Sequence, residues 1–370
     1  MNRKLLEYSV IYTNRAVNLM SEEFQSCMRE LNTNLCKIYH AKKCALIPGS
    51  GTTAMESVAR QFGNNKDCMI IRNGFFSYRW SQIFEKGNIA KSTSVINGNI
   101  SDSNKISPPD LNIVVENIIQ NKPALFCAPH VETSTGVMLS QHYIKTVATA
   151  VRENGGLFCL DGIASGTMWV DMEDMNIDIY ITAPQKGWSS PASCGVVMMG
   201  ERAVSMLEET ESSSFTLDLK KWVDVGNAYD NGGFMYHCTV PTDAMMEFND
   251  NVKETLEFGI EEAEKQAQLL GNKFRHLLES NGYPSVADDD CKSPTVVVSY
   301  TNSDTVNQLK NNGIMVAGYV PFMIDEPEDL RTFRIGLFGL DKLYDIDHTF
   351  ELFKKALDVK EEAVDNIKYL

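Results

Sequence analysis

The sequence predicts an α/β protein: a parallel β-sheet covered by helices on each side, followed by a smaller α+β domain. Three observations carry this. Short apolar runs ("CALI", "CMIIR", "ALFCAP", "GLFCLD", "IDIYITAP", "CGVVMM") alternate with helical patterns as far as about residue 240. The runs are apolar at consecutive positions, as strands covered on both faces must be. Beyond about residue 280 the texture changes to "PTVVVSY", "GIMVAGY" and "TFRIGLF", with a short helix from Ser303 to Asn311.

The elements follow in order. Residues 21–39 place Phe24, Met28, Leu31, Leu35 and Ile38 on one helical face, with Ser21 as N-cap and Glu22 and Glu23 in the first turn. "CALIPGSGTTAMESVARQF" then reads as strand, glycine-rich turn and helix. Strand–helix alternation continues until Thr242, which opens one long, acid-rich helix to about Ser280, and a final amphipathic helix starts at Asp347. We divide the chain into an N-terminal arm (1–20), a large domain (21–255) and a small domain (256–370).

At 370 residues, 43 % hydrophobic and 22 % charged, the composition is that of a globular protein. A net charge of −15 argues against nucleic acid or an anionic membrane as partner, since both are bound through clustered Lys and Arg. No apolar run reaches transmembrane length, and "MNRKLLEYSVIYTNR" lacks the apolar core of a signal peptide. Nine scattered cysteines without a CxxC pair fit a reducing compartment, and six histidines show no metal-ligand spacing. The expected location is the cytoplasm, with no metal.

The turn Gly49-Ser50-Gly51-Thr52-Thr53-Ala54 sits where a helix start can receive an anion. A dinucleotide fold would place an acid at the end of the next strand, but "CMII" runs into Arg72-Asn73-Gly74 and Asp67 precedes it. An Arg there could still meet a 2′-phosphate. A P-loop would need Gly-Lys-Ser/Thr, which is missing. A glycine-rich turn with no ligand is the third reading of the loop alone.

Downstream, "GLFCLDGIASG" puts Asp161 at a strand tip and "DIYITAPQKGWSSP" puts Lys186 at another. The separation suits a crossover between parallel strands, so both tips emerge at the edge where open α/β sheets bind ligands. Singly, a strand-end Asp is a common turn residue and a lone Lys is commonly solvated. Together with the anion loop they match the needs of pyridoxal phosphate: a carboxylate for the ring nitrogen, an amine for the aldehyde and N–H groups for the phosphate.

"HVETSTG", "LDGIASG", "DIYITAPQKGWSSPASCGVVMMG", "YHCTVP" and "FRIGLFG" resemble, in order, the class V aminotransferases of pyridoxal-phosphate fold type I, in particular the alanine:glyoxylate and serine:pyruvate branch, which implies a mostly parallel, mixed sheet flanked by helices. The resemblance implies that Lys186 holds the cofactor covalently and later carries a proton between the substrate Cα and the cofactor. It implies that Asp161 binds the pyridine nitrogen. It places Gln185, Ser50, Gly51 and Thr52 on the phosphate, Phe76 (or, one register away, Phe75) on the ring face and Thr133 at the ring. His130 and Glu132 share that turn, with a structural role the alternative. Arg334 would take the substrate carboxylate, and Tyr236 and Thr239 would reach the phosphate of a neighbouring subunit in a homodimer with shared sites.

The N-terminal segment departs from that branch: "YSVIYTNRAVNLMSEEF" stands where relatives carry a Gly-Pro-Gly-Pro turn, making Tyr12, Thr13, Asn14 and Arg15 candidate pocket residues, with a dimer strap the alternative. The implied reaction is a ping-pong transamination from a small amino acid to glyoxylate or pyruvate. A 2-aminoethylphosphonate-type transaminase is the nearest alternative. A cysteine desulfurase-like lyase is a further one, although the histidines it uses are replaced by Phe76 and Gln185, and Cys291 lies in an acidic "DDDC" loop.

Overall fold

The structure is a computed structural model and describes residues 6–357. Its centre is a seven-stranded sheet of β1 (Lys43–Pro48), β2 (Asp67–Arg72), β3 (Ser92–Asn97), β6 (Leu125–Pro129), β7 (Leu157–Asp161), β8 (Ile179–Thr182) and β9 (Cys194–Met199), ordered β1-β9-β8-β7-β6-β2-β3. A small ribbon, β4 (Asn99–Ile100) and β5 (Ile106–Ser107), lies beside it. Every residue of β6, β7, β8 and β9 is buried, which accounts for their unbroken apolar runs.

The sheet is parallel except for β9, which runs antiparallel to both β8 and β1. The connection from Ala183 to Ser193 contains no helix and cannot make a crossover, so the chain returns beside β8. That return leaves Lys186 at the same edge as the end of β7. The edge strand β3, "STSVIN", has no long apolar run because four of its six residues are exposed.

Helices cover both faces. α1 (Glu22–Tyr39) begins as its sequence predicts, with Ser21 Oγ accepting Phe24 N–H at 3.2 Å. α2 (Gly51–Phe62), α3 (Phe75–Lys86), α4 (Leu111–Asn121) and α5 (Gln141–Glu153) link parallel strands, and α6 (Glu201–Leu207) and α7 (Leu219–Asp230) follow β9. At the opposite edge of the sheet from Lys186, buried Asp178 accepts from Arg202 Nη1 at 2.8 Å and Phe158 N–H at 2.9 Å.

The predicted single helix from Thr242 to Ser280 is two helices, α8 (Thr242–Phe258) and α9 (Ile260–Ser280), broken at Gly259. Gly259 has φ 101°, a left-handed conformation open to glycine at little cost. A three-stranded antiparallel sheet, ordered β10 (Val296–Tyr300), β12 (Thr332–Gly336), β11 (Ala317–Gly318), packs with α9. α10 (Thr305–Asn311), α11 (Leu340–Leu343) and α12 (Ile346–Ala356) complete the region; the C-terminal extension of the last predicted helix lies outside the described residues. Among the described residues no helix is long and apolar enough to cross a membrane.

Candidate active site

Strand ends converge to build the site. β1 ends at Pro48, and Gly49 turns the chain with φ 134°. A Cβ there would lie 2.3 Å from Thr53 Oγ1, so glycine is required. Thr53 Oγ1 instead accepts the Ser50 N–H at 3.1 Å, pinning the start of α2. The first N–H groups of a helix have no partner within it, and Ser50, Gly51 and Thr52 line a cavity of ≈ 240 Å³. Gly51 admits close approach of Ile163, whose Cδ1 would be 2.5 Å from a Cβ.

Asp161, Lys186, Gln185, Thr133 and Phe76 line the same cavity. Asp161 is 8 % exposed and accepts Ile163 N–H at 3.1 Å. Burial pushes its carboxyl up to about 6, against that hydrogen bond and the charge of Lys186. Burial also depresses the Lys186 ammonium below the usual lysine range, opposed by Asp161 and Glu132 and assisted by Arg334 and Arg79. Lys186 Nζ stands 5.9 Å from the Phe76 ring centroid and 5.6 Å from that of Phe338. Phe75 packs edge-on to Phe76 at 5.6 Å, and of the two only Phe76 lines the cavity.

The donor set fits pyridoxal phosphate. Thr133 Oγ1 is buried without a hydrogen-bond partner and lines the cavity. Asp161 and Lys186 interact electrostatically with no direct ion pair between them. The helix start supplies N–H groups for a phosphate. A flat ring carrying a basic nitrogen, an aldehyde and a phosphate monoester satisfies all of these groups together.

Glu132 and His130 do structural work. Glu132 is fully buried; its Oε1 accepts from Phe76 N–H (3.1 Å), Ser134 N–H (3.0 Å) and Ser134 Oγ (2.8 Å), and its Oε2 accepts from Ser77 N–H (2.9 Å) and Ser77 Oγ (2.7 Å). The carboxylate thus caps α3, where a negative charge is favoured, and fixes the backbone that presents Phe76. Gly74 makes this possible, since a Cβ there would meet Ser134 Oγ at 2.0 Å. His130 Nδ1 pairs with Ser165 Oγ at 2.8 Å, and burial lowers its pKa to about 4, so it is neutral near pH 7.

Arg334, half-buried on β12, donates from Nε to Gly318 O at 3.0 Å, and its Cζ lies 5.6 Å from the Phe76 ring. Tyr236 and Thr239 are not brought to the cavity of their own chain; their hydroxyls lie 3.1 Å apart on an exposed segment. Residues 12–15 do not line the cavity either, and Tyr12 donates its hydroxyl to Val240 O at 3.0 Å. Sequence reasoning missed Arg79, which lines the cavity one turn after Phe76 on α3. Its three-residue spacing from an aromatic already singled out was the available signal. It also missed Phe338, two residues beyond the end of β12.

The family model described as "Aminotransferase class-V" matches residues 2–318. The chain is 23 % identical over 364 residues to alanine–glyoxylate aminotransferase 1 of Saccharomyces cerevisiae, covering 92 % of this chain and 91 % of that protein. The crystal structure of an alanine–glyoxylate aminotransferase from Nostoc sp. superposes with a TM-score of 0.79 at 19 % identity, covering 92 % of this chain and 88 % of that one. A ureidoglycine–glyoxylate aminotransferase from Bacillus subtilis gives 0.78 at 21 % identity, with 91 % and 86 % covered.

Proposed function

The chain belongs to the class-V aminotransferases, pyridoxal-phosphate-dependent transaminases of fold type I, and from that premise we propose that it moves an amino group from a small alanine- or serine-like amino acid to glyoxylate or pyruvate. One observation carries the assignment of the site: Asp161 and Lys186, from neighbouring strand ends, line a single cavity with the loop of Ser50, Gly51 and Thr52. The names of the relatives, glyoxylate aminotransferases among them, support the acceptor class.

When bound, the cofactor supplies an electron sink for the bonds at the substrate Cα. The chain supplies the rest. Lys186 anchors the cofactor and, with its basicity lowered by burial, moves a proton at Cα. Asp161 holds a proton at the ring nitrogen; Gln185, Ser50, Gly51 and Thr52 hold the phosphate. Thr133 gives its unpartnered hydroxyl to the ring, and Phe76 stacks on the ring face. Arg334, oriented through Nε, keeps its two terminal nitrogens for a two-pronged grip on the substrate carboxylate. Donor and acceptor both need Lys186 and Arg334, so they use the site in turn, which is a ping-pong order.

The exposed pair Tyr236 and Thr239 completes the phosphate site of a second copy, making a homodimer the working unit in the cytoplasm. The large domain (21–255) carries the cofactor and the small domain (256–370) carries Arg334.

The test is a spectrum of purified protein loaded with pyridoxal phosphate. Alanine or serine, added without an oxo acid, should bleach the visible band, glyoxylate or pyruvate should restore it, and Lys186→Ala should lack the normal band. Bleaching by 2-aminoethylphosphonate alone, or release of sulfide from cysteine, would replace this substrate assignment.

A further inference from the structure

We propose that Arg79 is the side-chain cation of the phosphate cup, binding the cofactor phosphate together with the start of α2. This rests on the reading that the cavity holds pyridoxal phosphate, and adds a residue to it.

Arg79 lines the cavity from α3, and its Nη1 donates to Thr52 Oγ1 at 2.9 Å. Its Cζ stands 5.4 Å from the Phe76 ring centroid, so the side chain lies along the ring and reaches to the loop. Thr52 is the second residue of α2. The guanidinium is therefore set against a helix N-terminus, which itself carries about half a positive charge. Two like charges held this way repel unless an anion is bound against both. The carboxylates at hand are otherwise engaged: Glu132 accepts five hydrogen bonds from α3 and its own turn, and Asp161, which feels the Arg79 charge without a direct ion pair, accepts Ile163 N–H and is on the proposed reading the partner of the ring nitrogen. Among the described residues Arg79 has no paired carboxylate.

Charge matching explains the arrangement. A phosphate monoester carries about −1.5 to −2 near pH 7. The helix end alone offsets about a quarter to a third of that, whereas the helix and one guanidinium together approach it. Arg334 is not placed for this end: it does not line the cavity beside the start of α2, and its Nε is held by Gly318 O on the small sheet. The two arginines thus flank Phe76 with separate duties, Arg79 toward the phosphate and Arg334 toward the substrate.

Pyridoxal phosphate and pyridoxal differ only in the phosphate and serve as probes. Full-length enzyme stripped of cofactor is titrated with each while the visible band is followed. Relative to wild type, Arg79→Gln should weaken pyridoxal phosphate binding by about tenfold or more and change pyridoxal binding by less than about twofold, and Arg79→Lys should recover part of the loss. Urea midpoints of the stripped proteins separate misfolding from lost binding. An unchanged preference for the phosphorylated probe in both variants overturns the proposal. So does a change confined to KM for donors with an anionic side chain, which would turn Arg79 toward the substrate. If wild type takes up neither probe, the reading of the cavity falls, and this proposal with it.

Discussion

Asp161→Asn tests the site through its electrostatics before any chemistry. In the cofactor-free protein the Asp161 carboxyl is pushed up to about 6 by burial, from an ordinary value of 3.8. A raised acid leaves the folded protein holding a proton that the unfolded chain has released, so stability falls as pH rises from the unfolded value through about 6. At 1.36 kcal/mol per unit, the charged carboxylate costs the fold about 1 kcal/mol at about pH 4.5 and about 3 kcal/mol at about pH 7.5. Asparagine carries no charge, and its side-chain oxygen can still accept the Ile163 N–H. Urea denaturation of the stripped proteins should therefore show Asp161→Asn gaining about 2 kcal/mol on wild type between those two pH values. With pyridoxal phosphate present the advantage should reverse, because the neutral amide cannot hold a proton at the ring nitrogen. A stability difference that does not move with pH would refute the claim that burial dominates at this carboxylate.

Two other substitutions probe neighbouring parts. Glu132→Gln places an amide nitrogen among five donors at the head of α3 and should cost about 3 kcal/mol of stability, read as a lowered urea midpoint. Arg334→Lys keeps the charge and loses the fork, so KM for the amino donor should rise about tenfold while pyridoxal phosphate affinity stays the same.

Much of the fold is legible in the sequence because its information is local. The six apolar runs became sheet strands, since strands covered on both faces need apolar side chains at every position. The same locality explains the failures. β3 was invisible because an exposed edge strand, "STSVIN", need not be apolar. The break at Gly259 was hidden because the acidic helical pattern continues on both sides of a single residue. The cavity shows the same division. Asp161 and Lys186 stand at the ends of apolar runs and announce themselves, whereas Arg79 sits inside an amphipathic helix like any surface arginine.

By itself the sequence determined the six buried strands and most of the helices, where the turn glycine must lie, and which polar residues follow the strands. Those depend on side-chain period, capping and backbone freedom within a few residues. The tertiary structure alone decided that β9 turns back beside β8, that Glu132 is consumed in holding Phe76, and that Tyr236 and Thr239 stay outside the cavity of their own chain. It also decided that a guanidinium meets a helix start. The contacts of Glu132 with Phe76 and of Arg79 with Thr52 join residues far apart in the chain, and only packing, which fixes distance and burial together, sets the charges they feel.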